Sequence, residues 1–161
     1  MITIVEASSD ELIAAVKGLF MEYADSLGFD LSFQNFDDEM KGFPGQYSPP
    51  VGCLYVALAD DQPIGCVGVR RFEEGICEMK RLYVRPGFRG KKAGTLLAEA
   101  AMRWARAAKY KTMRLDTVSS MVRANDLYKA LGFKETSPYR ENPVEGAIFM
   151  ELDLENCGNP P

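Results

Sequence analysis

The sequence predicts a mixed α/β fold, a mostly antiparallel sheet of about six or seven strands with about four helices on its two faces. Between residues 54 and 84, β-branched and aromatic runs follow one another, separated by turn residues, as in an antiparallel meander. After residue 87 the apolar positions return at helical spacing. Beyond that, a strand, a helix and a further strand follow in order, which implies some parallel pairing.

Taken in chain order, Ile2–Glu6 reads as a short strand. Ser8, Ser9, Asp10 and Glu11 then offer helix-start chemistry before Leu12, Ala15, Val16, Leu19, Phe20 and Tyr23. Residues 29–50 mix aromatics with acids and the breakers Pro44, Gly45, Pro49 and Pro50, so one short helix over residues 36–41 is expected inside an irregular excursion. Residues 54–59 and 64–72 form a hairpin about the turn 60–63, and a second turn at 73–75 leads into a strand over 76–84. The next helix carries Leu96, Leu97, Ala100, Ala101, Trp104, Ala105 and Ala108 on one face. A strand over 113–118, a helix over 120–131 closed by Gly132 and a last strand over 147–154 complete the pattern. One domain over residues 1–155 is expected, with a frayed tail at 156–161.

With 161 residues and 47% hydrophobic composition, the chain can bury a sizeable core. A net charge of −4 excludes a dedicated nucleic-acid binder and suits a cationic or neutral substrate. The four cysteines, Cys53, Cys66, Cys77 and Cys157, form no CxxC pair, and the chain opens without a secretory segment; reduced thiols in a cytoplasmic protein are expected. No apolar run is long enough to span a membrane. Because the chain has no histidine, proton transfer falls to a carboxylate, tyrosine, thiol or water. No metal site is expected.

The stretch from Arg81 to Leu97 carries the chemistry. It leads from a strand through a turn of glycines and lysines into a helix, and free N–H groups in a first helical turn, with the helix dipole behind them, make an anion site. Arg89, Lys91 and Lys92 add charge, although basic residues beside a glycine are commonly a solvated turn. The spacing is neither GxxxxGK[ST] nor GxGxxG.

Val84, Arg85 and Pro86, followed by Arg89, Gly90, Lys91, Lys92, Ala93 and Gly94, resemble the acetyl-CoA signature of the GNAT superfamily of N-acetyltransferases, [QR]-x-x-[GA]-x-[GA]. Arg89 fills the first position and Gly94 the last, while Lys92 stands where a small residue is expected. A lysine there either crowds the pyrophosphate or points outward and adds charge, and the outward placement is favoured. The segment 127–133, Leu-Tyr-Lys-Ala-Leu-Gly-Phe, is similar to the close of the family's final helix, and the order of elements resembles the family from residue 2 to residue 154.

The resemblance implies an acetyl-CoA-dependent N-acetyltransferase. Main-chain groups of Leu82, Tyr83 and Val84 would hold the pantetheine arm. The N–H groups of Arg89, Gly90, Lys91, Lys92, Ala93, Gly94 and Thr95 would hold the pyrophosphate. Asn125 and Tyr128 match positions near the pantetheine and the thioester sulfur, and Tyr128 would protonate the leaving thiolate; by spacing alone it reads as a core aromatic. Glu78, eleven residues before Arg89, is the candidate general base, with partial burial expected to raise its pKa. A salt bridge to Lys80 or Arg81, or a solvent-facing position, is the alternative.

Asp116 reads as a cap and Asp37, Asp38 and Glu39 as a solvated helix face; recognition of a cationic substrate is the second reading for each. Residues 138–144 are expected to overhang the acceptor site, with Tyr139 and Arg140 as contacts for a substrate carboxylate. Cys66 and Cys77 read as core residues. The acceptor is expected to be a primary amine of a small molecule or amino acid. A protein N-terminus or lysine, or a non-catalytic acyl-CoA sensor, are the rivals. Homodimers are common among look-alikes, and the sequence leaves that point open.

Overall fold

The computed structural model describes residues 1–28, 30–31 and 35–155. The expected start of the excursion at residue 29, Cys157 and the tail lie outside them. In chain order the elements are β1 Ile2–Glu6, α1 Asp10–Ser26, α2 Phe36–Lys41, β2 Cys53–Ala59, β3 Gln62–Glu73, β4 Ile76–Val84, α3 Ala93–Ala107, β5 Thr112–Val118, α4 Val122–Ala130, β6 Lys134–Thr136 and β7 Ala147–Asp153. Short 3-10 turns occupy Gly45–Tyr47 and Pro86–Phe88.

The seven strands form one sheet in the order β1-β2-β3-β4-β5-β7-β6, and only β4 and β5 run parallel. This is the mixed, mostly antiparallel sheet that the sequence predicts. The addition is β6, whose three residues are too few to show a period-two pattern and which pairs only with β7. Asp60 and Asp61 both adopt positive φ, as a tight two-residue hairpin requires.

Apolar side chains leave the sheet on both faces. On one, Val16, Leu19 and Phe20 of α1 join Tyr47, Leu54, Val56 and Cys66. On the other, Leu97, Ala101, Met102 and Ala105 of α3 pack on Ile64, Val67, Cys77 and Met113. The start of α1 is fixed by Ser9, whose hydroxyl accepts from the Leu12 N–H at 3.2 Å. Gly68 is a glycine because a Cβ there would lie 2.6 Å from the Tyr47 ring, which seats the excursion directly on β3.

Two irregularities of β4 create the site. Opposite β3 the register passes from Gly68↔Lys80 to Cys66↔Tyr83, so β4 holds one extra residue, and Arg81 in this bulge has a φ of 61°. Opposite β5, pairing covers only Ile76↔Thr112, Cys77↔Met113 and Glu78↔Arg114. Past Glu78 the two strands diverge, and the β5-facing edge of residues 79–84 is left open.

Candidate functional site

The open edge of β4 and the start of α3 form one groove of about 590 Å3. Its walls include Leu82, Tyr83 and Val84, then Arg89, Gly90 and residues 92–95, and across from them Ser120, Met121, Ala124 and Leu127. No side chain caps α3, so its first-turn N–H groups are available to a ligand beside this groove. Arg89 ties the loop back to the strand, its Nε donating to the Val84 carbonyl at 3.1 Å. Gly90, with φ of 84°, makes a turn that residues with a Cβ adopt at a cost.

Lys92 is exposed and stands at the helix start with φ of 65°. The position is left-handed, a conformation that glycine, one of the small residues of the family pattern, adopts without strain. Lys91 lies apart from the groove wall, its ammonium 5.6 Å from the centre of the Phe88 ring.

The final helix distributes its two candidates differently from expectation. Asn125 is buried and does not line the groove; its Nδ2 donates to the Val118 carbonyl at 2.9 Å and its Oδ1 accepts from Thr117 Oγ1 at 2.9 Å. It secures α4 to the end of β5. Tyr128 packs edge-on to Phe133 and lines a narrow cavity of about 40 Å3 between the splayed strands, with Lys80, Leu82 and Asp116. Burial raises its phenol pKa, so the hydroxyl keeps its proton at neutral pH.

On the α1 side of the same strands lies a network of charges. Glu78 has no exposed surface. It accepts from Arg70 Nε at 3.1 Å, from Tyr139 Oη at 3.2 Å and from Arg140 at very short range, with Lys80 Nζ 4.0 Å away. The expected upward shift of its pKa is corrected here: burial pushes it up, but Lys80, Arg70 and Arg140 outweigh burial and hold it below the usual carboxylate value. Of the alternatives, the ion pair with Lys80 is present, at 4.0 Å, while the solvent-facing position is not.

Asp116 does not cap a helix. Its carboxylate accepts from Lys80 Nζ at 3.3 Å and from Asn142 Nδ2 at 3.1 Å, and these donors lower its pKa against the opposing effect of burial. Lys80, fully enclosed, is pushed down to about 8 by burial, against the pull of Glu78 and Asp116. Glu39 is likewise no part of a solvated face. It meets Arg81 at 3.1 Å, Arg70 at 3.5 Å and the Tyr47 hydroxyl at 3.2 Å, whereas Asp37 and Asp38 remain exposed.

Sequence reasoning missed Arg70 and Lys80 as site residues. The available signal was charge on a strand whose neighbours are apolar, at positions 70, 78 and 80. Segment 139–142 closes over this network through Tyr139, Arg140 and Asn142, and Arg140 lines a second cavity of about 670 Å3 beside Arg70, Arg71 and Glu78. Cys53, Cys66 and Cys77 are buried free thiols whose pKa burial raises, Cys77 to about 12, so none is an activated nucleophile. Among the described residues no acid or thiol cluster could hold a metal, and no helix is long and apolar enough to cross a membrane.

Known proteins share this sequence and architecture. The profile of the acetyltransferase (GNAT) family matches residues 15–133. An uncharacterized N-acetyltransferase of Schizosaccharomyces pombe is 43% identical over 140 residues, which cover 86% of each chain. N-acetylaspartate synthetase of Xenopus tropicalis is 30% identical over 105 residues, 65% of this chain and 39% of that protein. An acetyltransferase of the GNAT family from Staphylococcus aureus superposes with a TM-score of 0.77 at 18% identity, covering 96% of this chain and 99% of that one. The chain therefore belongs to the acetyltransferase (GNAT) family and is an acyltransferase.

Proposed function

We propose that the protein transfers an acetyl group from acetyl-CoA to the primary amine of a small molecule, an amino acid foremost, while both substrates are bound. One observation carries this reading: the open edge of β4 and the uncapped start of α3 face a single groove. Pantetheine carries amide groups that pair with an unpaired strand edge as another strand would. Its pyrophosphate needs N–H donors and positive charge, which the loop from Arg89 to Thr95 supplies. The name of the Xenopus tropicalis relative, N-acetylaspartate synthetase, favours an amino acid as the acceptor class.

In the reaction the neutral amine nitrogen attacks the thioester carbonyl carbon. A C–N bond forms, the C–S bond breaks, and the nitrogen loses a proton as the departing thiolate gains one. Tyr128, protonated and facing the narrow cavity between the strands, gives its proton to the sulfur and is restored by the proton released from nitrogen. Main-chain N–H groups near Leu82 steady the oxyanion. Alignment and desolvation of two partners that are already reactive supply the rest of the acceleration.

Glu78 takes a role other than the general base expected from its position. A carboxylate held below its ordinary pKa by three cations is a poor proton acceptor, whereas it is well placed to fix Arg70 and Arg140. It is assigned here as a positioning residue. Glu78→Gln is expected to raise KM for the acceptor and leave the shape of the pH–rate profile unchanged, and loss of the acidic limb would instead restore the base. The whole reading is tested by thermal unfolding with acetyl-CoA, where ligand at about 100 times Kd adds about 2.7 kcal/mol. Thiol release with a panel of amines follows. No rise in Tm at millimolar acetyl-CoA would overturn the reading.

A further inference from the structure

We infer that Lys80 takes the proton from the arriving substrate ammonium, at the narrow cavity between the splayed strands β4 and β5. This rests on the transferase reading and supplies its first proton transfer. The attack starts from a neutral amine, whereas a primary alkylamine, like a free lysine with its pKa of about 10.4, reaches the protein as an ammonium at neutral pH.

The narrow cavity adjoins the cofactor groove, since Tyr23, Leu82 and Met121 line both. Lys80 from β4 and Tyr128 from α4 also line it, so the two groups face one space of about 40 Å3. An amine that meets the thioester between Leu82 and Tyr128 is in that space with Lys80.

Among the described residues that line this cavity, Lys80 is the titratable side chain suited to the task. Burial keeps Tyr23 and Tyr128 protonated, Arg81 retains its charge, and Asp116 is a carboxylate with a lowered pKa and little tendency to accept a proton. Around Lys80, the carboxylates of Glu78 and Asp116, at 4.0 and 3.3 Å, favour the ammonium, while burial foremost, then Arg81 and Arg70, oppose it. Arg140 reaches Glu78 from the closing segment, and Asn142 borders the same cavity. The outcome is a pKa of about 8, so about a tenth of the molecules hold Lys80 as a neutral amine at pH 7, ready to accept a proton.

A charged Lys80 opposes a second cation in the cavity, so the substrate ammonium enters against the neutral form. It gives one proton to the Lys80 amine, and the new ammonium is held by Asp116 and Glu78. The substrate nitrogen then attacks, and its second proton restores Tyr128 after the phenol has protonated the departing thiolate. Lys80 releases its proton to water before the next turnover, so one proton leaves for each amide formed.

The test follows thiol release from about pH 6 to 10 with ethanolamine and the more basic ethylamine, or with the two amines of the panel that turn over and differ most in basicity. Calorimetry gives the Kd for CoA. In the parent the acidic limb of kcat/KM is expected near pH 8 for both amines, because it belongs to the protein. Lys80→Arg keeps a cation beside Asp116 but has no neutral form at these pH values. Its kcat/KM at pH 7 should fall by about 100-fold, with the limb moved to each amine's own pKa, the loss shrinking at high pH and the Kd for CoA unchanged. An even loss across pH, or a parent limb that follows each amine's basicity, overturns the assignment of Lys80 and leaves the transferase reading standing. The parent profiles decide the point even if the variant does not fold. Absence of CoA binding, or of turnover with any amine, overturns the transferase reading itself.

Discussion

The two sides of the β4–β5 splay are built on opposite plans. The proposed cofactor side offers the main chain and small residues of one stretch, residues 82–95, faced across the groove by residues 120–127. The other side, the network of buried charges, is assembled from side chains of α2, β3, β4, β5 and segment 139–142, brought together only by the fold. The first holds donors open for a ligand's charge, while the second has largely satisfied its charges internally. Damage to the groove should therefore cost binding at little cost in stability, and damage to the network should cost stability first.

The sharpest break of that contrast is Glu78→Ala. It removes the carboxylate on which Arg70 and Arg140 converge, leaving buried cations without their partner. Losing one member of a buried ion pair costs about 3–5 kcal/mol, on the order of 10 °C in Tm for a chain of this size. Denaturant titration beside Gly94→Ser, whose site leaves room for a Cβ with Leu127 3.6 Å away, checks the asymmetry: the serine variant should keep its Tm and bind acetyl-CoA more weakly. Equal losses of stability would show that the groove and the network form one mechanical unit.

Tyr128→Phe probes the point where the two plans meet. Removal of a general acid slows the chemical step by about 100-fold, and the expectation is a fall of that order in kcat with the Kd for CoA and the Tm nearly unchanged. Activity within about twofold of the parent would return Tyr128 to the packing role that its contact with Phe133 already gives it.

This difference in plan also explains what the sequence could reveal. The groove was legible because its parts are neighbours in the chain, and a strand, a glycine turn and a helix start announce themselves locally. Asn125 shows the limit even there: its position on the last helix is as expected, but two hydrogen bonds within the fold engage its side-chain amide. The network was hidden because Glu78 finds Arg70 through sheet register and Arg140 through a loop 62 residues away. Asp116 looked like a cap since nothing near it in sequence reveals Lys80. Segment 139–142 also falls outside the part of the chain that the family profile matches, so the resemblance could not place it.

Acid should separate the two sides as well. Glu78 and Asp116 are both held below their ordinary values, by Lys80 foremost among their charged partners in each case. A carboxyl with a lowered folded pKa contributes stability that is fully present above its unfolded value, and this is lost as pH falls through the folded one. Stability should therefore hold down to about pH 4.5 and then decline. In Asp116→Asn the decline should be shallower, with a lower plateau at neutral pH. Denaturant midpoints between pH 3 and 7 read both effects, and an unaltered acid slope would remove Asp116 from the account.

The smallest expected effect tests whether the groove is as free of internal compromise as the contrast requires. Lys92 holds a left-handed backbone conformation at the mouth of α3, and for a residue with a Cβ that costs about 1–2 kcal/mol. Lys92→Gly relieves the strain but adds freedom to the unfolded chain worth about 0.5–1 kcal/mol, so the net gain should be below about 1 kcal/mol, or roughly 2–4 °C. The same change deletes a charge beside the groove, and affinity for acetyl-CoA should fall about threefold at low salt and hardly at all at high salt. A gain in stability with a salt-dependent loss of affinity means that the lysine trades backbone strain for phosphate attraction. Tighter binding at every salt concentration would mean that its side chain crowds the pyrophosphate, and that the small residue of the family pattern serves the ligand as well as the backbone.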